Sequence, residues 1–309
     1  MTDDEIRARL NKSERYMAFL LTALPRLKTT ALHADEEDCT LEKREVLRAT
    51  LDLLPPGEDG GICLEFGVYK GKSLRLMGER LPRRRFYGFD SFEGFPEDDR
   101  PDWEKDFRVR KLPDVPENCT LVKGWFDETL PKFLSENEER IDFIDVDCDI
   151  YSSTSTVLGE LHKHGRLRPG LIIYFDELIN YATWPWHEML ALFEMLEETG
   201  FGIQWLCTHQ KVRQIDDTLL MHRDGRYPRW RDAMRQGFQA PASLMLTEDG
   251  IDYGPLHLPH FEKRVRELGR LFDDMTTLFK AGRIRHDTEK PIHERLRLFV
   301  KHRILKRGI

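Results

Sequence analysis

Three aspartates fall within five residues in the stretch Asp145-Val146-Asp147-Cys148-Asp149-Ile150-Tyr151-Ser152-Ser153-Thr154. The apolar run Ile141 to Val146 leads into them, which sets them at the end of a buried strand. Like charges this close repel, and each loses hydration if the strand is central. A cation, backbone donors or a substrate proton relieves such a cluster. A second cluster, Asp176-Glu177 behind Tyr174-Phe175, ends the next apolar run. Two neighbouring strand ends therefore present Asp147, Asp149, Asp176 and Glu177. Hard oxygen donors in that number suit Mg²⁺ or a similar ion, not zinc. A bound divalent ion lowers the pKa of a coordinated hydroxyl. A carboxylate outside its shell can act as general base. The plainer alternative is acidic strand ends that cap the following helices.

Other strand ends carry complementary groups. The first strand ends in Glu65-x-Gly67-x-x-x-Gly71-x-Ser73, where glycines let the backbone turn tightly and approach a ligand. The dinucleotide pattern G-x-G-x-x-G is absent, which argues against a nucleotide-dependent oxidoreductase. A carboxylate at this strand end suits a cationic ligand, such as an amino acid's ammonium beside a sulfonium. The second strand ends in Asp90-Ser91, and an acid there can accept both hydroxyls of a ribose. The third ends in Gly124-Trp125-Phe126, a pair of aromatics able to wall a flat base or to pack under a helix. Beyond Asp176-Glu177 come Asn180-Tyr181 and Trp184-Pro185-Trp186-His187-Glu188, aromatics with a His that can hold a polar ring such as a sugar.

The elements that must position these groups emerge from periodicity. Helical spacing predicts helices over residues 5–28 and 41–54, the second stopped by Pro55-Pro56-Gly57. They cover an edge or face of the domain behind them, or form part of an oligomer contact. Strands are predicted at Ile62 to Phe66, Phe86 to Asp90, Thr120 to Lys123, Ile141 to Val146, Leu171 to Phe175, Ile203 to Cys207 and Val212 to Ile215. Helices alternate with them, which means a mostly parallel sheet covered on both faces. Ligands in such sheets bind at the carboxyl ends of the strands. The connection 93–118, with four prolines, Trp103 and Phe107, is long enough to be a lid. After Asp216 the pattern weakens to a hairpin over 243–253, a helix over 261–281 and a basic helix over 292–306. The expected organisation is a helical cover at 1–59, a ligand-binding α/β domain at 60–216 and a C-terminal extension at 217–309.

Composition bounds the rest. The chain has 309 residues and a formal charge of −7, which argues against a nucleic-acid binder. From Lys263 onward, 14 Lys or Arg face 6 Asp or Glu, so the C-terminal segment is basic on an acidic body. The opening Thr2-Asp3-Asp4-Glu5 is unlike a cationic leader, and Tyr16 to Leu24 falls short of the about 20 residues that span a bilayer. The five cysteines form no C-x-x-C pair and read as reduced thiols in a cytoplasmic protein.

Together these segments resemble class I S-adenosylmethionine (SAM)-dependent methyltransferases, in particular the macrocin/mycinamicin sugar O-methyltransferase (TylF/MycF-like) family. The resemblance rests on E-F-G-V-Y-K-G-K-S (65–73), Y-G-F-D-S-F-E-G-F-P (87–96), K-G-W-F-D-E-T-L-P (123–131), D-C-D-I-Y-S-S-T (147–154) and F-D-E-L-I-N-Y-A-T-W-P-W-H-E (175–188). It covers about residues 60–215. It implies a Rossmann-like methyltransferase sheet of seven strands with helices on both faces. It also implies Glu65, Gly67, Tyr69, Gly71 and Ser73 around the methionine part of SAM, and Asp90 with Ser91 at the ribose. Gly124, Trp125 and Phe126 would lie on the adenine side, with Asp147 nearby. Asp147, Asp176 and Glu177 match the family's Mg²⁺ positions, although many relatives have Asp-Asp where this chain has Asp176-Glu177. Asp149 matches a proposed general base, and His187 is a second catalytic candidate. The expected activity is metal-assisted O-methylation of a sugar or sugar-containing small molecule or glycan. The alternatives are a metal-independent methyltransferase, or a SAM-binding module whose basic tail docks an anionic partner.

Overall fold

The computed structural model describes residues 1–27, 39–54, 60–96, 107–208, 212–225 and 239–284. Seven strands form one sheet: β1 (Ile62–Phe66), β2 (Phe86–Asp90), β3 (Cys119–Lys123), β4 (Ile141–Val146), β5 (Ile172–Ile179), β6 (Gly202–Thr208) and β7 (Ala240–Thr247). Their order is β3-β2-β1-β4-β5-β7-β6. β1 to β5 are parallel, and β7 runs antiparallel to both β5 and β6. This is the Rossmann-like methyltransferase sheet expected from the sequence.

Strand alternation sorts the side chains between two faces. Ile62, Leu64 and Phe66 of β1 join Ile144 and Val146 of β4 in one apolar layer. That layer meets α2 (Lys12–Leu27), α5 (Phe126–Glu136), α6 (Tyr151–Lys163), α7 (Glu188–Thr199) and α9 (Pro259–Lys280). Cys63, Phe143, Ile172 and Tyr174 point to the opposite face, against α3 (Cys39–Leu51) and α4 (Lys72–Arg80). Two further helices, α1 (Asp3–Arg7) and α8 (Ile215–Arg223), complete the set among the described residues.

Several sequence expectations change. The single helix over 5–28 is two, because two capping boxes start two helices. Thr2 and Glu5 bond each other's backbone at 3.2 and 2.8 Å, and Asn11 and Glu14 do the same at 2.8 and 3.0 Å. No strand forms at 212–215; Ile215 begins α8. No hairpin forms over 243–253: residues 243–247 are the last part of β7, inserted between β5 and β6, and 248–253 leave the sheet. The sheet therefore reaches past residue 216, where the α/β domain was expected to end. Tyr16, Phe66 and Phe272 share one core cluster, so α2 and α9 pack into the core of the sheet, while Ile6, Leu10, Ala18, Leu256 and Val265 form a small cluster of their own. Among the described residues no helix is long and apolar enough to cross a membrane.

Candidate functional site

Strand order reverses beside β1: the chain moves from β1 outward to β2 and β3, then returns to place β4 on the other side. The turns leaving β1 and β4 diverge there and open a crevice at the carboxyl ends of the strands. The floor is tight. Gly67 has φ +102°, and a Cβ on it would lie 1.9 Å from the Asp147 carbonyl oxygen. The Gly67 N–H donates to the Phe89 carbonyl at 2.9 Å and the Asp147 N–H to that of Phe66 at 2.8 Å. A glycine is required at this position by conformation and by space alike.

A cleft of about 580 Å³ stands above that floor. Its size is that of a small-molecule site. Gly67, Tyr69, Asp90 and Ser91 line one part, with Gly124, Trp125 and Phe126 beside them. The Asp90 carboxylate accepts the Tyr69 N–H at 2.7 Å and the Phe92 N–H at 2.6 Å. Burial pushes its pKa up, and the amides of Tyr69, Phe92 and Val68 pull it back. A carboxylate has about four acceptor positions, so these three amides leave one for a ligand hydroxyl.

Asp147, Asp149, Asp176 and Glu177 line the same cleft. Asp149 has φ +62°, and the Ile150 N–H reaches back to the Cys148 carbonyl at 2.8 Å, closing a three-residue turn around it. Aspartate tolerates this left-handed conformation better than most residues. Asp176 and Glu177 are adjacent on a strand, so alternation would send them to opposite faces. A bulge resolves this. Phe175 pairs with Ala242 and Ile179 with Ala240, leaving 176–178 opposite Pro241 alone. Proline offers no N–H to the ladder, and β5 buckles where that donor is missing. Tyr174 Oη donates to Asp176 Oδ1 at 3.2 Å, and Gln239 Nε2 to Glu177 Oε2 at 2.7 Å.

Negative charge crowds this end of the sheet. Burial drives the Tyr174 phenol far up, and Asp176, Asp145 and Asp147 add to the shift. Oxygen donors and crowded charge fit a cation in type. The spacing does not: among the described residues no group of three or more His, Cys, Asp or Glu side chains is set to hold a metal ion. Asp147, Asp176 and Glu177 would have to turn toward one another to form the expected Mg²⁺ site.

Other expected site residues lie elsewhere. Glu65 is fully buried beneath the cleft, where Ser73 Oγ donates to it. Gly71 and Ser73 do not line the cleft; Gly71 faces a groove on the α4 side, next to Pro113. His187 does not line the cleft either. It is 4% exposed, contacts Thr183 Oγ1 through Nε2 at 3.1 Å and packs against Tyr181 and Phe279. The whole run Tyr181 to Met189 is buried, so its aromatics are core and not a sugar platform. Conversely, Phe95 and Phe107 line the cleft, with ring centroids 4.9 Å apart and Phe107 5.3 Å from Tyr69. They belong to the 93–118 connection, of which 97–106 lies outside the described residues. Ser152, Ser153 and Thr156 on the first turns of α6 also line the cleft; the S-S-T run signalled the first two, and nothing signalled Thr156.

Glu65 gives a pH prediction. Burial raises its pKa from 4.5 to about 8; the Ser73 hydrogen bond opposes the rise, and Asp90 and Asp176 add to it. The folded state thus holds this proton more tightly than the unfolded chain. The associated stability is full below about pH 4.5 and is lost as pH rises through about 8. Glu65→Gln should remove that slope. Its melting temperature should gain on wild type by ~3 °C or more between about pH 5 and pH 8.5. An offset constant across that range in thermal scans would contradict this.

Comparison with known proteins bears on the same region. A family model described as "Methyltransferase domain" matches residues 64–178. No curated protein matches the chain. Among solved structures the chain is similar to CalS11, a calicheamicin methyltransferase, at 23% identity over 79% of this chain and 93% of that one, with a TM-score of 0.43. The apo form of CalS11, described as a TDP-rhamnose 3'-O-methyltransferase, is similar at 23% identity over 79% and 95%, with a TM-score of 0.38. SAH-bound PaMTH1 from Podospora anserina is similar at 14% identity over 78% and 94%, with a TM-score of 0.37. At these values the structural likenesses carry no argument about substrate or metal. The family match runs from β1 to β5, the strands whose ends build the cleft, and supports methyltransferase activity for this part of the chain.

Proposed function

We propose that the chain is a SAM-dependent O-methyltransferase acting on a hydroxyl of a sugar or sugar-containing small molecule. The observation that carries this is a single cleft with two unlike halves. One half offers Gly67, Tyr69, Asp90, Ser91 and Gly124 to Phe126; the other offers Asp147 and Asp149. A nucleoside-bearing methyl donor suits the first half, and a hydroxyl that must lose a proton suits the second.

When bound, SAM supplies a sulfonium-activated methyl group. Asp90 has acceptor capacity for a ribose hydroxyl, and Trp125 and Phe126 offer a flat wall for adenine. Asp149 takes the proton of the acceptor hydroxyl as that oxygen bonds the methyl carbon and the carbon–sulfur bond breaks, leaving a thioether product. Proximity and alignment carry most of the rate. Tyr69, Phe95 and Phe107 narrow the mouth on the other side.

Mg²⁺ remains an addition to this reading, supported by donor type and crowded charge. Asp147, Asp176 and Glu177 would hold it, and it would lower the pKa of the acceptor hydroxyl. Methyl transfer from labelled SAM to a panel of sugars and glycosides, with and without EDTA, tests both parts. The expected result is transfer to a sugar hydroxyl; a rate that falls at least ~10-fold on chelation and returns with Mg²⁺ would add the metal. An unchanged rate in EDTA would remove the metal; absence of any O-methyl product would remove the sugar acceptor. The basic segment 292–306 lies outside the described residues, so docking by it stays a separate proposal.

A further inference from the structure

A second concavity of about 880 Å³ lies between α3 and α4 and has no part in the methyl-transfer step. It is lined by six cationic side chains, Arg44, Arg48, Lys70, Lys72, Arg75 and Arg80, and by only two acids, Asp52 and Glu79, among the described residues. Arg80 is spoken for: its guanidinium grips Asp52 through contacts of 2.6, 2.8 and 3.1 Å. Arg75 donates to the Asp114 carbonyl. Arg44, Arg48, Lys70 and Lys72 are exposed, and none has an ion-pair partner among the described residues. On a chain whose formal charge is −7, four such cations around one groove are a local reversal of sign.

We infer that this groove binds a ligand carrying two or more linked phosphoryl groups. Two arginines offer planar, forked donors and two lysines offer point charges, the pairing that suits phosphate oxygens. Among the described residues no aromatic side chain lines the groove, so none there stacks on a nucleobase. The chemistry selects the phosphate chain and not what is attached to it. Lys70 also lies over the ring of Tyr69 at 5.0 Å, and Tyr69 lines the methyl-transfer cleft. The groove is therefore one residue away from the cleft wall. Two sources share this chemistry: the diphosphate of a phosphorylated acceptor, or a free polyphosphate that binds apart from the acceptor.

Calorimetry of the full chain with inorganic pyrophosphate and with ADP tests the inference. Both should bind with affinities within about threefold of each other and weaken steeply with added NaCl. Arg48→Gln/Lys72→Gln should weaken pyrophosphate at least ~10-fold, equal to 1.4 kcal/mol, while leaving SAH affinity unchanged. If the double variant melts more than a few degrees early, Arg48→Gln alone should still weaken it measurably. Should pyrophosphate not bind, or bind the variants as tightly as wild type, the inference fails. With the cleft saturated by SAH, ADP binding far more tightly than pyrophosphate would also overturn it, since a base would then be read. Methyl-transfer kinetics separate the two sources. Pyrophosphate that raises the KM of a phosphorylated acceptor at constant kcat places the acceptor's tail in the groove. Pyrophosphate that binds without competing identifies a separate anion. Because SAH affinity is measured independently, a failed groove leaves the methyltransferase assignment standing.

Discussion

Asp149→Asn is expected to lower methyl transfer by about 10²–10⁴-fold, the usual contribution of a positioned general base. That is about 3–5 kcal/mol in the barrier. The substitution is chosen for what it leaves alone. Asparagine matches aspartate in shape and tolerates φ +62° nearly as well, so the turn closed by Ile150 and Cys148 survives. SAH affinity should therefore stay within about twofold, since only the proton acceptor is lost. Single-turnover rates on the acceptor found by screening, beside SAH calorimetry, measure the two separately. A rate within a few-fold of wild type would take the base role away from Asp149. Equal losses in rate and SAH affinity would instead mean that the residue holds the cleft together.

Gly67→Ala is expected to do comparable damage through the backbone. Its φ of +102° lies outside the region an L-residue adopts, and the added carbon would meet the Asp147 carbonyl oxygen at 1.9 Å. Strain of about 1–3 kcal/mol from conformation and about the same again from overpacking is expected. The clash joins the ends of β1 and β4, so relieving it moves both halves of the cleft. SAH binding should weaken by ~100-fold or more, with a lower melting temperature. Gly165→Ala is the control. Gly165 also has positive φ, +63°, but nothing lies within 4 Å of the position its Cβ would take. It should lose only about 1 kcal/mol and keep full SAH affinity. Wild-type affinity in Gly67→Ala would mean that the strand ends tolerate separation.

These residues were legible in the sequence because period and punctuation marked them. Short apolar runs ending in Gly67, Asp90, Gly124 and Asp147 identify β1 to β4 and the side of the sheet that carries chemistry. Two kinds of feature escaped. β7 begins Ala240-Pro241, and a proline argues against a central strand. That same proline creates the bulge that turns Asp176 and Glu177 into one cleft, so the hidden strand and the visible acids are one feature. Burial was the second. Trp184, Trp186 and His187 are types that recognise sugars on a surface, yet here all three are buried, with Trp186 stacked between Phe272 and Phe279 of α9 and His187 edge-on to Phe279. Residue type cannot tell a platform from a core. Glu65 illustrates the same limit, since its acid sits under the glycine turn and not beside the cleft.

The carboxylates of β4 also divide by environment. Asp142, at the start of the strand, is held by Arg84, Arg140, Arg168 and the Gly61 amide at 2.7–3.1 Å. Burial works against its charge, but these partners keep its pKa below the usual carboxylate range. Asp145 is buried in mid-sheet, in register with Glu65 and Tyr174. Asp147 and Asp149 face the cleft. β4 thus carries a structural anchor and a buried acid, and the turn beyond it two carboxylates that line the cleft.

Whether the cleft is a cofactor site is decided by calorimetry of the wild-type chain with SAH, repeated with Asp90→Asn. Saturable binding of one SAH per chain is expected, weakened at least ~10-fold in the variant, or 1.4 kcal/mol. Absence of heat and of any thermal shift with SAH in the wild-type chain would contradict a methyl donor in this cleft.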